Sequence, residues 1–290
     1  MTPPALDLHA LHARLTASTP LIQAITNTVV QQFSANVLLA AGAAPAMIDH
    51  EADAAQFARV ADALLINLGT ASNHQLLAAD AAISVATAHD KPWVLDPVSV
   101  GVVDFRTIKI RQAAAARPTV VRGNASEIAA LAGFGAGGRG VDSTDEVDAV
   151  LPAAIRLAQA TGGVVAVSGA RDAVVTVQGA EILIARIGGG HALMPKVVGM
   201  GCALGALVAA YLAAGRSLGG DRLPGDWAAT VAAHGHFALA GAQAGAMASG
   251  PGSFMVAFVD ALHALKPEDM ARTEVRIETQ TMPATGAAAA

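Results

Sequence analysis

Residues 64–98 read LLINLGTASNHQLLAADAAISVATAHDKPWVLDPV. Two short apolar runs, Leu64–Asn67 and Trp93–Asp96, flank an Ala/Leu-rich stretch, Asn73–Ala88. The short runs have strand length and the middle stretch has helix length, so the segment predicts a strand, a crossover helix and a parallel strand. Each run stops at a polar residue, Asn67 before Leu68-Gly69-Thr70 and Asp96 before Pro97-Val98.

The same alternation extends in both directions. Strands are expected at Leu21–Ile25, Pro45–Ile48, Thr119–Arg122 and Val164–Val167. Helices are expected at Val29–Ala41, Ala52–Ala61, Phe105–Ala115, Ala125–Leu131 and Asp145–Ala160. Strand and helix in repeated turn give an α/β fold with a mainly parallel sheet covered on both faces. After Gly169 the pattern changes: Ala173–Val177 and Ile182–Ile187, joined by Gln178-Gly179-Ala180-Glu181, read as a hairpin and so as an antiparallel edge. Three apolar helices, Cys202–Ala214, Trp227–Ala248 and Ser253–Leu265, are expected to close the chain. No fixed-period repeat and no linker divides it. One domain over 1–280 is expected, with a small-residue tail, 281–290, lacking order.

Composition narrows the function. Of 290 residues, 53% are apolar and only 3% aromatic, so the core must be built from Ala, Val, Leu and Ile. The net charge is −5 with no basic block, which argues against nucleic-acid binding. One cysteine, Cys202, can form neither an internal disulfide nor a cysteine zinc cluster. The N-terminus has neither the basic start nor the apolar run of a secretory signal, and a cytoplasmic location is expected. The uncharged stretch Val197–Gly215 approaches membrane-span length but is rich in Gly and Ala, and reads as a buried helix.

In open parallel sheets ligands bind beyond the carboxyl ends of the strands. Polar groups gather at those ends: Asn67, Asp96, Arg122-Gly123-Asn124 and Ser168-Gly169. Gly199 and Gly201, in Val198-Gly199-Met200-Gly201-Cys202, let the chain turn tightly and aim free amides at an anion; glycine chosen for close packing explains them equally well. Asn124 and Glu127 suit a helix start, as N-cap and first-turn carboxylate, and equally a site for Mg²⁺, which prefers few carboxylates and several waters. Asp96 would be the second carboxylate, although an Asp before Pro is commonly a turn former. Arg122 suits bidentate phosphate contact or a surface ion pair. Cys202, placed first in its helix, is expected to have a lowered pKa and to accept a proton from a substrate hydroxyl; a small buried hydrophobe is the ordinary alternative. Asn27 and Met47, after early strands, read as turn and core. The nine histidines show no metal-ligand spacing, and His234 and His236 read as packed or helix-end residues in their helix rather than zinc ligands.

Taken together, these segments resemble the hydroxyethylthiazole kinase family of the ribokinase-like superfamily. The matching residues are Ile25-Thr26-Asn27 with Ala35-Asn36, Gly42-Ala43 through Pro45-Ala46-Met47, Asn67-Leu68-Gly69-Thr70, and Leu95-Asp96-Pro97-Val98. Further along they are Arg122-Gly123-Asn124-Ala125-Ser126-Glu127-Ile128, Gly140-Val141-Asp142-Ser143, Gly199-Met200-Gly201-Cys202 and Gly250-Pro251-Gly252-Ser253-Phe254.

The resemblance implies a three-layer α/β/α kinase. It would phosphorylate the hydroxyl of 4-methyl-5-(2-hydroxyethyl)thiazole in thiamine salvage, using ATP and Mg²⁺. It implies Arg122 and Ser168 at ATP, Asn27, Met47 and Gly199 at the thiazole, and Asp96 and Glu127 at Mg²⁺. Cys202, with Gly199 and Gly201, would stand at the reacting hydroxyl, in a homotrimer with sites between subunits. Gln23 stands where the family has His, Ser99 where it has Gly, and Val198 and Met200 where Thr is common. Rival expectations are a kinase for another small alcohol such as a hydroxymethylpyrimidine, a weakly active thiazole- or nucleotide-binding protein, and a nucleotide-dependent dehydratase.

Overall fold

A computed structural model describes residues 6–133 and 146–282. Its frame is a sheet in the order β2-β1-β3-β4-β5-β6-β7-β8-β9. The strands are β1 (Leu21–Ile25), β2 (Ala44–Ala46), β3 (Ala63–Asn67), β4 (Trp93–Asp96), β5 (Val120–Asn124), β6 (Val164–Ser168), β7 (Asp172–Gln178), β8 (Glu181–Ile187) and β9 (Val275–Thr281). The pairs from β2 through β6 are parallel; β6–β7, β7–β8 and β8–β9 are antiparallel.

Alternate side chains leave the sheet on opposite faces. Ala63 and Leu65 of β3 join one apolar core, while Leu64 and Ile66 join the other. Continuous apolar strands are therefore required, because a parallel sheet is buried on both faces. The first core packs under α1 (Leu8–Ser18), α2 (Gln31–Ala40), α9 (Met200–Arg216), α10 (Arg222–Met247) and α11 (Pro251–Ala264). The second packs under α3 (Ala54–Val60), α4 (Asn73–Ala88), α5 (Asp104–Ala115), α6 (Ala125–Leu131), α7 (Glu146–Ala149) and α8 (Leu151–Thr161). The three layers agree with the expectation.

The helix α9 answers the membrane question. It is apolar on nearly every side because it crosses β1, β3 and β4 beneath α1, α2 and α10. Among the described residues, no helix is long and apolar enough to cross a membrane.

Several boundaries differ from expectation. The strand expected at Pro45–Ile48 is Ala44–Ala46, and the helix expected at Asp145–Ala160 is two, α7 and α8. Pro152 sits in the first turn of α8, where its missing N–H costs nothing. Unforeseen are α1 and β9. The chain does not close on helices: after α11, β9 pairs with β8, and Met282 N–H donates to Ala180 O. Thr281 thus ends a strand, while 283–290 and the motif at 140–143 lie outside the described residues.

A polar cluster lies inside the first core. His236 Nδ1 accepts from Tyr211 O–H at 3.0 Å, and its Nε2 donates to Leu262 O at 3.2 Å, tying α9, α10 and α11 together. His12 lies against it, ring centroids 4.7 Å apart, with neither ring nitrogen partnered among the described residues. Burial pushes the pKa of His236 down to about 3 and lowers that of His12 as well. The His236 ring stays neutral in the fold but takes up a proton when unfolded, below about pH 6.5. Stability is therefore full above that pH and is lost as pH falls through it. At pH 5 His236 alone should cost about 2 kcal/mol. Urea midpoints from pH 8 to 5 should fall more steeply for the wild type than for His236→Gln; parallel curves would refute this.

Candidate active site

The site is assembled from the carboxyl ends of adjacent strands. The order β2-β1-β3-β4 reverses direction between β1 and β3, and a crevice opens at such a switch point. Asn27 follows β1; Asn67, Asp96, Arg122 and Ser168 lie at or near the ends of β3, β4, β5 and β6. They form one polar row. Asn27 Nδ2 donates to Asn67 Oδ1 at 3.2 Å and to Cys202 Sγ at 3.3 Å. Asn67 Nδ2 donates to Asp96 Oδ2 at 3.0 Å, and Arg122 Nη1 stands 3.8 Å from that same oxygen. Arg122 Nη2 then donates to Ser168 Oγ at 2.7 Å.

The row is almost dry. Asn67, Asp96 and Arg122 are buried, and two of their polar atoms, Asp96 Oδ1 and Arg122 Nε, have no partner among the described residues. Burial raises the pKa of Asp96 to about 7. Glu127 pushes the same way, against the lowering by Arg122 and the Asn67 hydrogen bond.

The N-terminus of α9 covers this row. Gly199 is the N-cap at φ +91°, a left-handed conformation that a side chain would strain. A Cβ at Gly199 would also come 2.8 Å from Val30 Cγ1, and one at Gly201 would come 2.7 Å from Arg122 Nη1. Ala203 N–H is the first to bond back, to Gly199 O at 2.8 Å. The amides of Met200, Gly201 and Cys202 therefore precede the first intrahelical bond, with no capping side chain, and suit an anion.

Two expectations about Cys202 change. The helix begins at Met200, so Cys202 is its third residue, not its first. Its pKa is raised to about 11, first by burial and then by Asp96, which outweigh Asn27, Asn67 and Arg122. The expected lowering at a helix N-terminus does not occur, and at neutral pH the group is a thiol.

Glu127 and Asn124 form a complete capping box. Glu127 N–H donates to Asn124 Oδ1, and Asn124 N–H donates to Glu127 Oε2, both at 2.9 Å. Ser99 N–H approaches Glu127 Oε1 at 3.4 Å. Ser99 has φ +65°, a conformation that glycine adopts without strain. Met47 stands apart from the row: it follows the edge strand β2 and packs, half-buried, against the first core. Gln23, fully buried, braces the same edge by donating to Ile48 O and Ala54 O.

Asn67 is the residue that reading the chain undervalued. It joins Asn27 to Asp96, and the one available signal was an amide closing a buried strand just before Leu68-Gly69.

Comparison with known proteins gives a consistent result. The model of the hydroxyethylthiazole kinase family matches residues 12–268. A hydroxyethylthiazole kinase of Corynebacterium efficiens is 50% identical over 265 residues, 91% of this chain and 95% of that one. One of Klebsiella pneumoniae subsp. pneumoniae is 50% identical over 260 residues, 90% and 96% of the two chains. The solved structure of hydroxyethylthiazole kinase from Pyrococcus horikoshii OT3 superposes with TM-score 0.79 at 31% identity, covering 93% of this chain and 98% of that one. A Staphylococcus aureus pyridoxal kinase in complex with ADP has TM-score 0.59 at 14% identity over 90% and 99%, a likeness of fold.

Proposed function

Because the chain belongs to the hydroxyethylthiazole kinase family, we propose that it transfers the γ-phosphate of ATP to the hydroxyl of 4-methyl-5-(2-hydroxyethyl)thiazole in the cytoplasm. The observation that carries this reading is the row from Cys202 through Asn27, Asn67, Asp96 and Arg122 to Ser168, lying under a helix N-terminus that offers free amides. Phosphoryl transfer asks a protein mainly for positioning and for stabilisation of charge. Arg122, Ser168 and the amides of Gly201 and Cys202 supply donors to the phosphates. Asn27, Met47 and Gly199 line the place of the thiazole.

Asp96 and Glu127 are the residues that would hold Mg²⁺ through its waters. They suit it: Asp96 Oδ1 is buried without a partner, and the repulsion by which Glu127 raises the Asp96 pKa is relieved by a cation. Bound there, the ion would neutralise charge on the transferring oxygens. The Cys202 thiol is no proton acceptor; it sets the hydroxyl in place, held by Asn27. The Asp96 carboxylate takes the proton late in transfer.

Incubation with ATP, Mg²⁺ and the thiazole should give ADP and thiazole phosphate, identified by mass. Phosphate on a hydroxymethylpyrimidine with none on the thiazole would overturn the substrate. Cys202→Ala should lower kcat less than the ~100-fold at the low end of general-base effects. A thousandfold loss, with an unchanged melt, would return the base role to sulfur.

Residues 1–280 are read as one domain, supported by one sheet that takes strands from β1 through β9. The chain is proposed to form a homotrimer through the face of α2 and α11. Leu39, Met255 and Val256 are exposed there, beside a groove of about 320 Å³ lined by Phe33, Asn36 and Val259. Phe33 also flanks Gly199, which puts this face beside the substrate turn. Sedimentation should give three chains; Val256→Glu should give monomers, and an unaltered trimer would move the interface elsewhere.

A further inference from the structure

Outside the row just described, His50, Glu51 and His74 bring three ligand atoms within 4.8 Å of one another. We propose that they form a second, separate metal site, one that takes a late first-row divalent cation of the zinc class. Two imidazoles and one carboxylate are the ligand set such ions favour, and they leave a position open for water. His74 Nδ1 lies 2.6 Å from Glu51 Oε2, and His50 Nδ1 lies 3.9 Å from the same oxygen. The two rings stack with centroids 5.1 Å apart. Metal–ligand bonds of about 2.0–2.1 Å at tetrahedral angles need donor atoms roughly 3.3 Å apart. Small side-chain rotations therefore suffice to open the Glu51–His74 contact and admit an ion.

The two arms of the site are tied together before any metal binds. His74 lies in the first turn of α4, whose capping box between Ser72 and Gln75 is complete. The same Gln75 donates through Nε2 to Asp49 Oδ2 at 2.8 Å and to Thr26 O at 3.1 Å. Gln31 also donates to Asp49 Oδ2, at 3.1 Å. Asp49 immediately precedes His50 and Glu51, so the loop and the helix are fixed to each other beneath the ligands. The carboxyl of Glu51 is held below its usual range by its own backbone hydrogen bond and by the imidazoles, and it is ionised. An exposed Glu–His contact by itself contributes little to stability, so the cluster is not needed for folding. Ala52 N–H donates to His50 Nδ1 at 3.2 Å, a long bond that a metal at this nitrogen would replace.

The test is a Zn²⁺ titration by calorimetry in excess Mg²⁺, so that the Asp96–Glu127 carboxylates are already engaged, with a parallel Co²⁺ titration read by visible absorption. One equivalent should bind. The affinity should fall about tenfold or more in Glu51→Gln, and the stoichiometric phase should vanish in the His50→Ala, His74→Ala double variant. Cys202→Ala should leave the titration unchanged. Because His50 and His74 are exposed, the variants should melt as the wild type does. Absence of a saturable phase, or a phase that survives the double variant or is lost in Cys202→Ala, would overturn the site.

Discussion

Gly201→Val is expected to lower kcat by about a thousandfold while leaving a folded protein. A Cβ at Gly201 lies 2.7 Å from Arg122 Nη1 and 3.3 Å from Nη2. The guanidinium is the far end of a flexible side chain, so it moves and the backbone stays. Movement breaks the Nη2 bond to Ser168 at 2.7 Å and carries the charge away from the amides of α9. Removing one well-placed donor to a developing anion usually costs about a hundred- to a thousandfold, and here the arginine and the amide turn are disturbed together. Steady-state kinetics with a thermal melt decide it. A kcat within tenfold of wild type at an unchanged melting temperature would mean that this turn is packing alone.

Asp96→Asn should have a comparable effect on turnover, with a distinctive mark on stability. The amide can keep a hydrogen bond with Asn67 but carries no charge for a cation and accepts no proton. A kcat loss of about a thousandfold is expected. For stability, the folded pKa of about 7 stands above the 3.8 of the free group. The folded state therefore binds the proton more tightly between those values, and the contribution of Asp96 is lost as pH rises through 7. Its size is on the order of a few kcal/mol. The attraction of Arg122 at 3.8 Å works the other way but is outweighed by burial. Melting curves from pH 5 to 8 should show the variant gaining on the wild type as pH rises. A constant difference would mean that Asp96 titrates normally.

Much of this architecture was legible along the chain. Buried parallel strands must be apolar on both faces, so β3, β4 and β6 appear as unbroken runs that end in polar residues. The helix α4 has apolar content, helix length and a Ser72–Gln75 cap, all of them local signals. In contrast, β9 reads Val-Arg-Ile-Glu-Thr-Gln-Thr and is half-exposed at the edge. It is a strand because β8 offers it a partner. Pro152 in the first turn of α8 is a local signal for the break between α7 and α8.

The chain by itself determined the α/β alternation, the antiparallel turn after β6, the gathering of Asp96, Arg122, Glu127 and Ser168 near strand ends, and the family. Spacing and residue type carry those properties, because strand period, helix length and turn chemistry are local. Only the tertiary structure decided the protonation of Cys202, the link that Asn67 makes between Asn27 and Asp96, and the meeting of His74 with His50 and Glu51. A pKa depends on how much water and how many charges surround a group. Near a helix N-terminus a thiol is expected to ionise readily, yet burial beside Asp96 raises its pKa to about 11. That burial comes from β1, β3 and β4 lying beneath α9, a contact that no neighbour of Cys202 in the chain specifies.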